Sequence, residues 1–153
     1  MARFRFKLQK VLEARQSLED SARREFGAAM RELHRQERIR DELLAEQELL
    51  LGEMGSRRGK KSTVEEFVQD IQYEWILKHR IKSQKIKVKA AQEELEEKRK
   101  MLTEAMKQRK IMEKLKERHW EVFRKKNNKD EMKFADEIAG RKAHFEYQSI
   151  AGD

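Results

Sequence analysis

Gly52-Glu53-Met54-Gly55-Ser56-Arg57-Arg58-Gly59, followed after two lysines by Ser62-Thr63-Val64-Glu65-Glu66, decides how the chain folds. Three of the chain's 6 glycines crowd into the first piece. Glycine is favoured just past the C-terminus of a helix, where the backbone turns left-handed. The second piece offers an N-cap hydroxyl with an acid three residues on, which is the capping-box pattern. A stop followed by a start predicts a turn over about 55–62, between helix one over about 4–54 and helix two over about 63–147.

Both arms carry a heptad pattern. In the first, Leu8, Arg15, Ala22, Ala29, Gln36, Leu43 and Leu50 share one register, and Phe4, Val11, Leu18, Phe26, Leu33 and Met54 supply neighbouring apolar positions. Small and polar residues interrupt this seam, so the arm needs a partner helix. In the second, Phe67, Ile81, Val88, Leu95, Leu102 and Phe123 lie on one register, with Leu77, Ala91, Ala105 and Met112 beside it. A short Gly-rich turn between two such helices predicts an all-α fold: two long helices in an antiparallel coiled-coil hairpin, the second helix longer. Pairing between chains is the alternative. At ~1.5 Å per residue the arms reach about 75 and 125 Å, so the second overhangs. Its stretch with Leu115, Trp120, Phe123, Phe134 and Ile138 is expected to lack an internal partner, and Asn127-Asn128 to interrupt it.

Composition supports this reading. The chain has 153 residues, no Pro, no Cys, 43% charged and 37% hydrophobic residues, a balance that suits solvated helices better than a thick core. The absence of proline leaves long stretches free to propagate as uninterrupted helix. The lack of cysteine rules out disulfides and thiolate metal sites and fits a reducing compartment, so the cytoplasm is expected. No apolar run approaches the ~20 residues that span a bilayer. The basic opening, free of acid until Glu13, has the flavour of a transit peptide, yet its apolar pattern runs on into the first arm, and we read it as part of the fold.

Catalytic chemistry is hard to place. His34, His79, His119 and His144 are far apart, and none has a second histidine three or four residues away, so neither a metal nor another cofactor is expected. Gly55-Ser56-Arg57-Arg58-Gly59-Lys60-Lys61-Ser62 resembles a phosphate-binding loop only superficially. It has three residues between its glycines instead of four, and no apolar strand precedes it. A two-helix coil offers no enclosed pocket in which to tune a catalytic pKa, so the chain is expected not to be an enzyme.

Charge and exposed apolar groups point to binding instead. Between Lys78 and Lys129, 19 Lys and Arg stand against 8 Glu, whereas the whole chain carries +8. Such a stripe could track phosphates, which makes a basic coiled-coil nucleic-acid binder the main alternative. Glutamates interleaved at intrahelical spacing favour a solvated face or a docking surface for an acidic protein, and no nucleic acid is expected. Between Val64 and Leu77, the apolar Val68, Tyr73, Trp75 and Ile76 surround more of the helix than one partner can cover. Exposed aromatics at an interaction site explain this surplus better than a local core under a folded-back loop.

The opening Phe4-Arg5-Phe6-Lys7-Leu8-Gln9-Lys10-Val11-Leu12 resembles the start of the bacterial flagellar FliJ proteins. Gln108-Arg109-Lys110, Glu113-Lys114-Leu115-Lys116-Glu117-Arg118, Glu131, Asp136-Glu137-Ile138-Ala139 and Arg141 are similar to that family's C-terminal half. The resemblance implies a non-enzymatic stalk and adaptor of the flagellar type III export apparatus, monomeric and similar to the central stalk of rotary ATPases. It implies binding within the hexameric export ATPase FliI, promotion of that ring's assembly and activity, and contact with the export gate protein FlhA and with export chaperones. Such a protein is expected in the cytoplasm and, through its partners, at the cytoplasmic face of the inner membrane. The stalk of an injectisome is the sister alternative. For the ring the expected residues are Arg109, Lys110, Glu113, Lys116, Glu117 and Trp120, and for the gate Phe67, Ile71, Glu74 and Lys78, the last two being charged where the family's surface is apolar.

Overall fold

A computed structural model describes residues 2–58 and 63–152. It is an all-α antiparallel hairpin: α1 spans Gln9–Arg57 and α2, the longer, spans Val64–Ala151. Gly59, Lys60, Lys61 and Ser62, which carry part of the expected turn and of the phosphate-loop likeness, lie outside the described residues. Two compact units share the helices, one of Ser17–Met106 and one of Met1–Gln16 with Lys107–Asp153.

In the Ser17–Met106 unit, polar side chains fix the antiparallel register. Arg57 Nη1 meets Asp70 Oδ2 at 2.9 Å, Gln84 Nε2 donates to the Gln36 carbonyl at 2.9 Å and to Gln36 Oε1 at 2.6 Å, and Lys98 Nζ meets Glu25 Oε2 at 3.1 Å. As α1 is followed backward, its partners advance along α2. Leu33, Val88 and Leu95 form the core cluster, with Phe26, Ala29 and Ala91 against it. Gln84 is buried among them, and its two bonds to Gln36 satisfy the amide while penalising any register that would leave it unpaired.

Burial follows an unbroken ladder in each helix, alternately three and four residues apart. In α1 it runs Leu12, Arg15, Glu19, Ala22, Phe26, Ala29, Leu33, Gln36, Arg40, Leu43, Gln47, Leu50, Met54, Arg57. In α2 it runs Asp70, Glu74, Leu77, Ile81, Gln84, Val88, Ala91, Leu95, Lys98, Leu102, Ala105, Arg109, Met112, Lys116. Against expectation, Val11 and Leu18 lie off the seam: Leu18 is 57% exposed while its neighbour Glu19 is 3% exposed. Glu19 tolerates the position because its carboxylate accepts from Arg23 at 2.7 Å, and the arginine stem carries the charge outward. Phe67 also leaves the seam, at 52% exposed.

The helix ends differ from the sequence expectation in three places. Residues 2–6 are not helical and α1 begins at Gln9, whose amide donates to the Phe6 carbonyl at 3.1 Å. Gly55, expected to open the turn, is helical inside α1, as Gly52 is, and neither has a positive φ. Asn127 and Asn128 do not interrupt α2, where Asn127 Nδ2 donates to Glu131 Oε1 at 3.0 Å across one helical turn. At the start of α2, Thr63 Oγ1 accepts from the Glu66 amide at 3.3 Å, and Glu65 and Glu66 complement the helix dipole.

Because a Cβ at Gly52 or Gly55 would meet open space, each Gly→Ala replacement should stabilise the hairpin by about 0.5–1 kcal/mol, read as a raised thermal midpoint. On the outer face of α1, Arg35 and then Gln36 donate to the Glu32 carboxylate and hold its pKa at about 2, against an ordinary 4.5. A carboxyl depressed in this way contributes its full share above the ordinary range and loses it as the pH falls towards about 2.

Candidate functional site

In the unit formed by the chain's N-terminal segment and the later part of α2, a non-helical Phe-x-Phe segment clasps the helix. The Phe4 ring lies edge-on to Trp120 at 5.1 Å and tilted to Phe123 at 5.5 Å, and Phe6, 6% exposed, meets His119 at 5.5 Å. Phe4 and Phe6 face the helix, while Arg3, Arg5 and Lys7 are exposed around it. Trp120 and Phe123, expected to lack a partner, therefore have one. Beyond them, every residue from Asn128 to Gly152 is exposed, Phe134, Ile138 and Phe145 included.

The expected ring residues fall on one side of α2, within a sector of about 120° at roughly 100° per residue. Arg109 and Lys116 belong to the seam and are half-buried, while Lys110, Glu113, Glu117 and Trp120 are exposed. Arg109 Nη1 meets Glu113 Oε2 at 2.7 Å, which holds both side chains along the helix. Lys116 borders a groove with the N-terminal segment, lined also by Arg3, Arg5, Lys7, Lys10 and Glu13. The expected patch is thus a charged surface beside an aromatic clasp, and Phe4, Phe6 and His119 join it. The alternation of Phe4 and Phe6 with Arg3, Arg5 and Lys7 was readable in the sequence.

The expected gate residues lie in the other unit. Phe67 and Ile71 are 52% and 45% exposed and Lys78 is exposed, whereas Glu74 is half-buried on the seam and turned from that surface. Trp75, 61% exposed, packs against His79 with ring centroids 3.9 Å apart and the planes tilted by 33°, and His79 Nδ1 lies 2.9 Å from the Trp75 carbonyl. Val64, Val68, Ile71 and Trp75 are spaced four, three and four residues apart, a second apolar stripe on the outside of a helix whose seam is already occupied.

Among the described residues there is no grouping of His, Cys, Asp or Glu that could hold a metal ion, and no helix is long and apolar enough to cross a membrane. Every feature found here is a surface carried on the side of a helix. An all-α coiled-coil hairpin with charged and aromatic docking faces is the class of protein that these features define. The family model for the flagellar FliJ protein matches residues 4–146, nearly the whole chain, and the chain belongs to that family. Comparison with curated proteins and with solved structures gave no match. Family membership makes this protein a non-catalytic component of the flagellar export apparatus.

Proposed function

We propose that this FliJ-family chain is the stalk and adaptor of the flagellar export ATPase, seated within the hexameric ring of FliI and promoting its assembly and activity. The observation that carries the reading is the family match across residues 4–146 of a chain built from two continuous helices. Two packed helices are slim enough to sit inside a ring. Charged residues at their surface suit a single asymmetric stalk among six similar subunits, because long, solvated side chains adapt to mismatch at little cost. Arg109, Lys110, Glu113, Lys116, Glu117 and Trp120 are assigned to the ring. Phe67, Ile71 and Lys78 are assigned to the export gate protein FlhA, with Glu74 supporting them from the seam. Export chaperones are further partners, and the protein reaches the cytoplasmic face of the inner membrane through the company it keeps.

Added at substoichiometric ratios, the purified chain should raise ATP hydrolysis by the cognate ATPase, and Lys110→Glu with Glu117→Lys should lower that stimulation several-fold while helix content holds. Unchanged hydrolysis and unchanged ring assembly at every ratio would overturn the assignment. Phe67→Ala with Ile71→Ala should weaken binding to the gate protein and leave ATPase stimulation in place.

A further inference from the structure

We infer that the flank of the hairpin next to the turn is a self-complementary surface on which a second copy of this chain docks in parallel. The inference concerns the Ser17–Met106 unit alone. In an antiparallel pair, residues that directly follow the seam position leading a four-residue step come to the same side of both helices, and those that directly follow the other seam position lie just outside them on that side. On α1 the first set is Glu37, Leu44 and Leu51, and on α2 it is Val64, Ile71, Lys78 and Lys85. Both arms therefore contribute to one flank, and its apolar members remain in water: Leu44 is 37%, Leu51 47%, Ile71 45% and Trp75 61% exposed.

Its charges are sorted by helix. Between Glu74 and Glu93, α2 presents Lys78, Lys82, Lys85 and Lys89 on this flank and carries no acid on any face, while the α1 side of the flank presents Glu37, Asp41 and Glu48. Asp41 is held by Arg40 at 3.0 Å, whereas Glu37, Glu48, Lys78, Lys82 and Lys85 form no ion pair among the described residues. One helix of the flank is acidic and its neighbour basic, with apolar groups towards the turn.

That pattern selects one occupant and one orientation. A two-fold axis parallel to the helices lays α1 of one copy over α2 of the other, so that Leu51 covers Ile71 and Trp75, Glu48 meets Lys78, and Asp41 and Glu37 meet Lys82 and Lys85. The other two-fold, perpendicular to the helices, would stack acid on acid and lysine on lysine. From Val64 to Lys89 the flank is about 37 Å long and two helices, roughly 20 Å, wide, a footprint on the order of 700 Å² per copy. This lies just under the roughly 800 Å² per partner of a standard interface, which suits a reversible dimer. The dimer covers Ile71 and Lys78, so it competes with a gate partner for them.

Sedimentation of the full chain across a concentration series at low salt tests the proposal. The wild-type chain should pass from monomer to dimer, and added salt should weaken the dimer. Glu48→Lys and Lys78→Glu, each at an exposed position, should each weaken self-association at least about tenfold. An equal mixture of the two single variants should dimerise again, as should the double variant, because both restore opposite charges at both symmetry-related contacts. A wild-type chain that stays monomeric to about a hundred micromolar, or a dimer that Glu48→Lys leaves unchanged or tightens, would overturn the inference.

Discussion

Leu77→Ala lowers the free energy of unfolding by about 2–4 kcal/mol, while Leu18→Ala changes it by no more than about 0.5 kcal/mol. Leu77 is the one large side chain among the described residues that is fully buried, at 0% exposed, and Leu18 is 57% exposed. In a two-helix protein the seam is only one side chain deep. A cavity there has few neighbours that can collapse into it, and the removed methyl groups are lost together with their contacts. The two leucines differ in phase by a fraction of a turn relative to their seams, so the comparison tests the burial ladder directly. Urea titrations of both variants against the wild type read the difference, and equal losses at both sites would contradict the ladder.

Phe6→Ala releases the N-terminal segment. Phe6 is 6% exposed against His119, and Phe4 on Trp120 and Phe123 supplies the other aromatic contact of residues 2–6. Truncating a buried phenylalanine costs about 3 kcal/mol, equal to roughly a hundredfold in the opening equilibrium. That loss is local, because residues 2–6 contribute no helix. The expected outcome is faster tryptic cleavage after Arg3 and Arg5 and red-shifted tryptophan emission from Trp120, with helical circular dichroism unchanged. Unaltered cleavage and emission would show that the clasp does not hold the segment.

The hairpin was legible because its signals are local and repeated. Ile81, Val88, Leu95 and Leu102 mark α2 by spacing alone, and Thr63 with Glu66 marks its first turn. The phase of α1 was harder to read, because charged residues occupy seam positions. Leu18 beside Glu19 invites the apolar residue inward, and only the partner helix, which leaves room for the Glu19 stem and lets Arg23 reach its carboxylate, decides otherwise. Gly55 reads as the start of a turn, yet a helix already propagating extends through it, as through Gly52, at a cost of about 1 kcal/mol each. Asn127 and Asn128 are absorbed in the same way. The surfaces were legible in part. Exposure of Phe67, Ile71 and Trp75 follows from too many apolar residues around one helix, but that Glu74 turns to the seam and that Leu44 and Leu51 share the flank needs the antiparallel register.

Every surface described above presupposes that α1 and α2 pair within one molecule. Spin labels at positions 25 and 98, whose native side chains meet at 3.1 Å, measure that pairing most directly when labelled protein is diluted into a large excess of unlabelled protein. Helices packed at about 8–10 Å between axes predict an interspin distance of no more than about 20 Å that survives dilution. A short distance that vanishes on dilution, or one that is long from the outset, would contradict the hairpin and the docking surfaces built on it.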